Sequence, residues 1–317
     1  MGRYLLRRVL LMIPVLFLVT FISFALLRLS PGDPALMYAG IDADLEVVER
    51  VRHDLGLDQP LPVQYVSWLA HVVHGDLGVS FAKRQSVGDL ILQSVPRTLE
   101  LGLVALALHA TIALVVGVLS ALRRDTVVDL AATSFALALV SLPSFVVAFG
   151  LLVVFSLTFR ILPPGGFVSF SEDPIGHLRT LALPALAVGS GTLATLLRQT
   201  RSSLLEVLDD DYIRTARAKG LRPRVVITRH ALRNALIPVI TIIGLQIGGV
   251  IEGAFIVETI FAWPGVGRLT VDGINMRDYA VVQGTVLVGA VSYMLSTLVA
   301  DLVYAWLDPR ISYGEEA

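Results

Sequence analysis

The run Val9-Leu10-Leu11-Met12-Ile13-Pro14-Val15-Leu16-Phe17-Leu18-Val19-Thr20-Phe21-Ile22-Ser23-Phe24-Ala25-Leu26-Leu27 carries no charge. Wound as a helix rising about 1.5 Å per residue, it covers roughly the 30 Å of hydrocarbon in a bilayer. Arg3, Arg7 and Arg8 stand just before it. The arrangement has the outline of a signal peptide, but the apolar run is too long and lacks a small-residue cleavage site. It reads as a first spanning helix whose start the arginines hold in the cytoplasm.

Apolar stretches of spanning length recur at Thr98 to Leu122, Val127 to Leu157, Leu181 to Leu197, Ala235 to Val257 and Val281 to Leu307. The expected fold is therefore all-α, a polytopic membrane protein of about six transmembrane helices. The third stretch is long enough to need tilt or a break, and Pro143 within Ser141-Leu142-Pro143-Ser144 supplies a place for one. Composition agrees: in 317 residues only 16% are charged, and the mean hydropathy is +0.75, too apolar for a soluble domain of this size. The absence of cysteine excludes disulfides and thiolate metal sites. The net charge of −1 says little, because the distribution of charge matters more than the sum; no nucleic-acid partner is expected.

Arg and Lys concentrate in the N-terminal tail, at Arg123-Arg124, and between Arg198 and Arg233. The positive-inside rule places all three in the cytoplasm, and an even number of spans puts both termini there. The segment from Arg28 to Arg97 is then external. It is rich in acids, and Asp44 is placed to cap a short helix that Gly56 ends. Leu162-Pro163-Pro164-Gly165-Gly166 and Trp263-Pro264-Gly265-Val266-Gly267 read as rigid outer turns, with Phe261 and Trp263 suited to an interfacial aromatic belt.

The segment Asp209-Asp210-Asp211-Tyr212-Ile213-Arg214-Thr215-Ala216-Arg217-Ala218-Lys219-Gly220-Leu221-Arg222-Pro223-Arg224 differs from the rest. It predicts two short helices. Aspartate caps the first, acids sit at its positive end, Arg217 and Lys219 at its negative end, and Gly220 closes it. Pro223 suits the first turn of the second, with Val225, Val226, Ile227 and Leu232 on its apolar side and Arg229, His230, Arg233 and Asn234 among its polar residues. A basic helix-turn-helix of this kind suits contact with a partner; on the residues alone, obedience to the positive-inside rule or attraction to anionic lipid accounts for it equally well.

This segment resembles the permease subunits of ABC importers for dipeptides, oligopeptides, glutathione and nickel. Tyr212-Ile213-Arg214-Thr215-Ala216-Arg217-Ala218-Lys219-Gly220, followed by His230-Ala231-Leu232-Arg233-Asn234-Ala235-Leu236-Ile237-Pro238, is similar to that family's variant of the so-called EAA signature. Arg214-Thr215-Ala216 stands where the general signature has Glu-Ala-Ala, as in the peptide branch. Leu29-Ser30-Pro31-Gly32-Asp33-Pro34, Leu55-Gly56-Leu57-Asp58-Gln59-Pro60, Gly75-Asp76-Leu77-Gly78, and Val257-Glu258 with Trp263-Pro264-Gly265 also look like family features.

The resemblance implies a B-type permease of the prokaryotic cytoplasmic (inner) membrane, moving di- or oligopeptides by alternating access. Glutathione or nickel import is the alternative, and a secondary transporter a further one. The implied partners are a second homologous permease, two cytoplasmic ATPase subunits, an external substrate-binding protein and membrane lipid. This chain is then not catalytic. It has no G-x-x-x-x-G-K-[ST] loop, so ATP and Mg²⁺ belong to the ATPases, and no cofactor or metal is expected here. Four segments are implied: 1–28, tail and first span; 29–97, external subdomain; 98–307, a five-helix core containing the ATPase-coupling loop 198–235; and 308–317, a cytoplasmic tail. Within the loop, Tyr212, Arg214, Thr215, Ala216, Arg217, Lys219, Gly220, Arg222, His230, Arg233, Asn234 and Pro238 form the implied docking set.

Polar groups in a bilayer seldom face lipid, so His109, Gln246, Glu252 and Asp301 are candidates to line the translocation pathway, with Ser141 and Pro143 at the expected kink. Each polar group serves equally as a helix-packing hydrogen bond, and Ser141 as a partner for carbonyls freed by the proline. Glu252 occupies a place where relatives are expected to carry a small residue, which suits a cationic cargo group. Glu258, Trp263, Pro264 and Gly265 are candidates for the outer mouth. His71 and His74 have a metal-clip spacing but no evident third ligand. A serine hydrolase would have to use Ser190 with His109, in a context unlike a nucleophile motif.

Overall fold

The computed structural model describes residues 2–29, 33–40, 43–248 and 254–307. Among these, helix is the sole regular structure apart from one antiparallel bridge between Val79 and Ser86. Four helices are long and apolar enough to cross a bilayer singly: α1 (Gly2–Leu29) over Arg8–Leu29, α5 (Val87–Leu122), the run Pro223–Gln246, and α15 (Tyr279–Leu307) over Tyr279–Val299. Two further candidates are bent pairs, and counting each as one span gives six. The chain is a multi-pass, all-α membrane protein.

The first bent pair joins α6 (Val127–Ser141) to Ser144–Thr158 through a 113° turn at Leu142-Pro143. Proline disfavours the helical conformation in the residue before it, and Leu142 is extended accordingly (ψ 128°). The second half begins as α7 (Ser144–Leu151) and ends as a π-helical turn, Leu152–Thr158. The second pair, α8 (Pro174–Ala187) and α9 (Ser190–Leu208), bends by 68°. Here Val188 is extended and Gly189 is left-handed (φ 68°), a conformation that glycine adopts without a Cβ clash. The sequence reading treats Leu181 to Leu197 as one unbroken span and does not contain this break.

Several helices begin or end beyond the expected spans. Helix α5 starts at Val87 rather than Thr98 and runs through Pro96. Its first turns are held by packing, since Val87, Leu90 and Ile91 are buried with Leu269 and Val281, and burial outweighs the helix-breaking preference of one proline. Helix α9 continues past Leu197 to Leu208, so residues 198–208 are helix rather than loop.

The contacts divide into two compact units. One comprises the described parts of Met1–Thr98 and Pro264–Met294. In it α2 (Pro34–Ala39) is capped by Asp33, whose Oδ1 accepts from the Ala35 N–H at 3.0 Å. Helix α3 (Leu45–Asp54) ends at Gly56 (φ 62°), with the N–H groups of Gly56 and Leu57 donating to the carbonyls of His53 and Arg52, a Schellman closure. Asp44 precedes α3 but makes no side-chain capping bond. Tyr65 of α4 (Leu61–Val73) sits among Phe17, Phe21 and Phe24 of α1, with ring centroids 5.4–5.6 Å apart. Its hydroxyl meets Thr20 Oγ1 at 2.9 Å, so the aromatic body and polar tip are both satisfied. Asp278, between α14 (Val266–Met276) and α15, accepts from Ser80 Oγ and from the backbone N–H groups of Ala82 and Val281. Burial, and secondarily the charge of Asp278, push the Tyr38 phenol up to about 12.

The other unit comprises Leu99–Trp263 and the described part of Leu295–Ser312. Helix α9 packs against α6 and against α12 (Leu232–Gly248). Gly117 of α5 lets α9 approach closely: a Cβ there would stand 2.8 Å from Thr200 Cβ. At the opposite end of the unit, Leu101, Leu183, Val257, Phe261 and Trp263 form one buried cluster. A Cβ on Gly165 would collide with the Phe261 carbonyl group, and the Gly166 N–H donates to that carbonyl at 2.7 Å. Phe261 and Trp263 are fully buried, so neither belongs to an interfacial belt; the glycine pair brings backbone over them, and Phe167 packs edge-on against Trp263 at 5.0 Å.

Candidate functional site

The basic segment folds on an apolar foot. Asp210 precedes α10 (Asp211–Ala218) without a side-chain capping bond, and Asp211 and Arg217 lie at the helix ends that favour their charges. Gly220 is left-handed (φ 75°), its N–H donates to the Arg217 carbonyl at 3.0 Å, and Leu221 N–H donates to Ala216. The chain thus turns sharply at the residue where glycine is the relaxed choice. Pro223 then opens α11 (Pro223–Val225), which passes through a π-helical turn, Val226–Ala231, into α12 without interruption. The expected second short helix is therefore the beginning of the fifth span. Pro238 lies inside α12 and removes one backbone donor without ending it.

Ile213 and Ala216, three apart on α10, point inward with Ala121 of α5, Leu204 of α9, Val226 and Ala231 of the π turn, and Ala235 of α12. That spacing is one helical face. The cationic residues Arg214, Arg217, Lys219, Arg222 and Arg233 are exposed, as are Thr215, Gly220 and Asn234, while Tyr212 is 39% exposed and His230 half-buried. Asn234 Nδ2 donates to the Tyr212 hydroxyl at 2.9 Å and ties α10 to α12. Arg214 pairs with Asp211 at 3.1 Å, an exposed i,i+3 contact contributing at most about 0.5 kcal/mol. Arg217, Lys219, Arg222 and Arg233 make no ion pair among the described residues. An exposed cationic face on a fixed buried foot is suited to docking rather than to bond chemistry.

Sequence reasoning misses the polar clamp beside this foot. Asp129, on the first turn of α6, is 4% exposed. It accepts from Arg201 Nε at 2.6 Å and Arg201 Nη2 at 2.7 Å, from Ser120 Oγ, and from the Asp125 N–H at 3.0 Å. One carboxylate therefore joins α5, α6 and α9, with its lone pairs satisfied. The usable signal is that an aspartate and an arginine inside helices of spanning pairs seek each other in a bilayer.

The pathway candidates do not converge. His109 is 1% exposed, and its Nε2 meets the Leu186 carbonyl at 3.2 Å, a group freed by the break at Val188-Gly189. Gln246 Nε2 donates to Thr192 Oγ1 at 3.1 Å between α12 and α9. Both are helix-packing bonds. Ser141 Oγ donates to the Leu137 carbonyl at 2.9 Å, beside the Pro143 break. Ser190 Oγ is buried without a hydrogen-bond partner among the described residues, and His109 is engaged at Leu186. Glu252 lies outside the described residues. Asp301 falls on α15, with its side chain outside the described ones. Of the outer-mouth set, Glu258 and Trp263 are fully buried, whereas Pro264 and Gly265 contribute to a cavity of about 270 Å³. His71 and His74 each bond a backbone carbonyl of their own helix, at Ser67 and Ala70. His177, also missed, is buried between the Val168 carbonyl and Glu100 Oε1, 2.8 and 2.9 Å away.

Known proteins resemble this chain in sequence. The family described as binding-protein-dependent transport system inner membrane component matches residues 113–313, and its companion for the N-terminal part of such components matches residues 1–102. A putative peptide transport system permease protein of Brucella suis biovar 1 is 43% identical over 313 residues, 99% of this chain and all of its own. The glutathione transport system permease protein GsiC of Escherichia coli K12 is 39% identical over the same shares. The crystal structure of an amino acid ABC transporter with histidines aligns with a TM-score of 0.50 at 16% identity, covering 70% of this chain and 94% of that one, a likeness of fold alone.

Proposed function

This chain belongs to the family of binding-protein-dependent transport system inner membrane components, and on that premise we propose that it imports peptides through the cytoplasmic membrane of a prokaryote, driven by ATPases bound to α10. The observation that carries the docking role is the cationic face of α10 over its buried foot. Two ATPase subunits, holding ATP and Mg²⁺, lie on the side of α10. The N-terminal arginines and Arg123-Arg124 share that side by the positive-inside rule. A second permease completes the pore, and an external binding protein delivers cargo to the opposite side.

Closing of the ATPase pair displaces α10. Because Ile213 and Ala216 share one buried cluster with Leu204 and Ala235, the displacement reaches α9 and α12 together. Asp129 and Arg201 carry it to α6. Packed helices of this kind shift as units rather than deforming continuously. This chain positions and moves, while hydrolysis takes place elsewhere.

A peptide cargo follows from the relatives named for peptide transport. Glutathione, itself a small peptide, is the second reading, favoured by the relatives named for its transport. Proteoliposomes holding the assembled importer test both. Uptake of labelled dipeptide or glutathione is expected to need ATP and the binding protein and to persist when ionophores collapse ion gradients. Uptake driven by an ion gradient without ATP would overturn the proposal.

A further inference from the structure

We propose that the cleft between the end of the π-helical turn Leu152–Thr158 and the first turns of α8 binds the headgroup of an anionic phospholipid. The cleft is a cavity of about 520 Å³ to which Arg160 and Arg179 both contribute, together with Ser156, Thr180, Ile161 and Val168. No aspartate or glutamate lines it. Both arginines are exposed and make no ion pair among the described residues. Asp173, the N-cap of α8, stands beside the lining Gly176 but pairs with neither arginine, and its Oδ1 accepts from the Ile175 N–H. Two arginines that contribute to one cleft and pair with no carboxylate repel each other, and a phosphodiester between them removes that repulsion while accepting from both planar forks.

The backbone supports the same assignment. Arg160 follows the last residues of the turn in the left-handed region (φ 54°), the position after a helix where glycine is the relaxed residue. Here the chain presents a guanidinium instead, in a conformation unfavourable for a residue with a Cβ.

The surroundings identify a lipid rather than a water-borne anion. Leu157, Phe159, Ile161, Ile175 and Leu178 around the two arginines are all exposed. Such a rim is suited to acyl chains. Arg179 lies about 7 Å along α8 from its first residue, and Arg160 lies two residues beyond Thr158. Both charges therefore stand at the ends of spanning pairs, where arginine meets lipid phosphate. This inference needs only a chain that spans a membrane and does not depend on the cargo or on the ATPases.

The test is native mass spectrometry of the assembled importer released from nanodiscs of equal phosphatidylglycerol and phosphatidylcholine. The unaltered protein is expected to retain phosphatidylglycerol selectively. Removing each guanidinium, in Arg160→Gln and Arg179→Gln, lowers that retention about fivefold, with phosphatidylcholine unchanged. The Arg160→Lys, Arg179→Lys variant keeps the charges and part of the retention, and equal melting temperatures exclude misfolding as the cause. Unchanged phosphatidylglycerol retention in the double glutamine variant overturns the proposal. So does displacement of the lipid by soluble glycerol phosphate, which would mark a site for free anions. Loss of binding-protein capture with the lipid count constant would reassign the cleft to a protein interface.

Discussion

Asp129 illustrates what a single residue does in this molecule and why its role is hard to read in the chain. Its four accepted hydrogen bonds come from Ser120, Asp125 and Arg201, and the arginine is 72 positions away. Removing one partner of a fully buried pair costs about 3–5 kcal/mol, and the loss here is smaller because Arg201 is partly open to solvent. Asp129→Ala is accordingly expected to lower the thermal midpoint of the detergent-solubilised protein strongly, and Asp129→Asn, which keeps part of the network, to lower it less. Equal midpoints for all three would remove the clamp. Gly220, by contrast, is legible from its neighbours, because a helix ending in Arg217 and Lys219 before a glycine and a proline has one common solution. Local chemistry is written locally; a partner seventy residues distant is not. The fate of Glu258 and Trp263 was hidden for the same reason, since the backbone of Gly165 and Gly166 that covers their neighbourhood lies about a hundred residues upstream.

At the level of elements, hydrophobic length locates the spanning segments well and their interruptions unevenly. Pro143 announces its break, because proline constrains both itself and the residue before it. The break at Val188-Gly189 has only a glycine as its signal, and glycine in an apolar run also serves for close packing, as Gly117 does. Helix α10 depends on its foot. Ile213→Ala is expected to cost about 2–4 kcal/mol of local stability, seen as faster amide exchange confined to α10 and weaker retention of the ATPases, with the spanning helices unaffected. Exchange spread evenly over the protein would contradict an independently anchored α10. In the segment between α1 and α5, His53 meets Asp58 at 2.8 Å. That hydrogen bond, more than charge alone, raises His53 above the ordinary imidazole value of 6.5 and lowers Asp58 below 3.8. The histidine's share of stability is complete below 6.5 and is lost as pH rises through its raised folded value. The aspartate's share is complete above 3.8 and is lost as pH falls through its depressed value. Both groups are open to solvent, so the effect is small. An NMR titration is expected to give His53 a midpoint above 6.5 that returns toward it in Asp58→Asn, and an identical midpoint in the two proteins would refute the contact.

For the whole molecule, composition was sufficient to indicate a polytopic membrane protein, because bilayer thickness and the positive-inside rule act on length and charge alone, whereas the permease reading rests on the resemblance of the basic segment to a known family. The pathway was not legible. Among the candidates whose side chains are described, His109 and Gln246 hold helices together. The central claim is that α10 couples this permease to ATPases, and copurification tests it most directly. The importer's genes are expressed together, and the complex is isolated through this chain in mild detergent, with and without the Arg214→Glu and Lys219→Glu substitutions. Both residues are exposed and outside the buried foot, so the fold is expected to survive the change. The second permease is expected to copurify in both cases, and the ATPases to be lost from the doubly substituted protein. ATPases retained in full by that variant, or absent from the unaltered complex, would contradict the central claim.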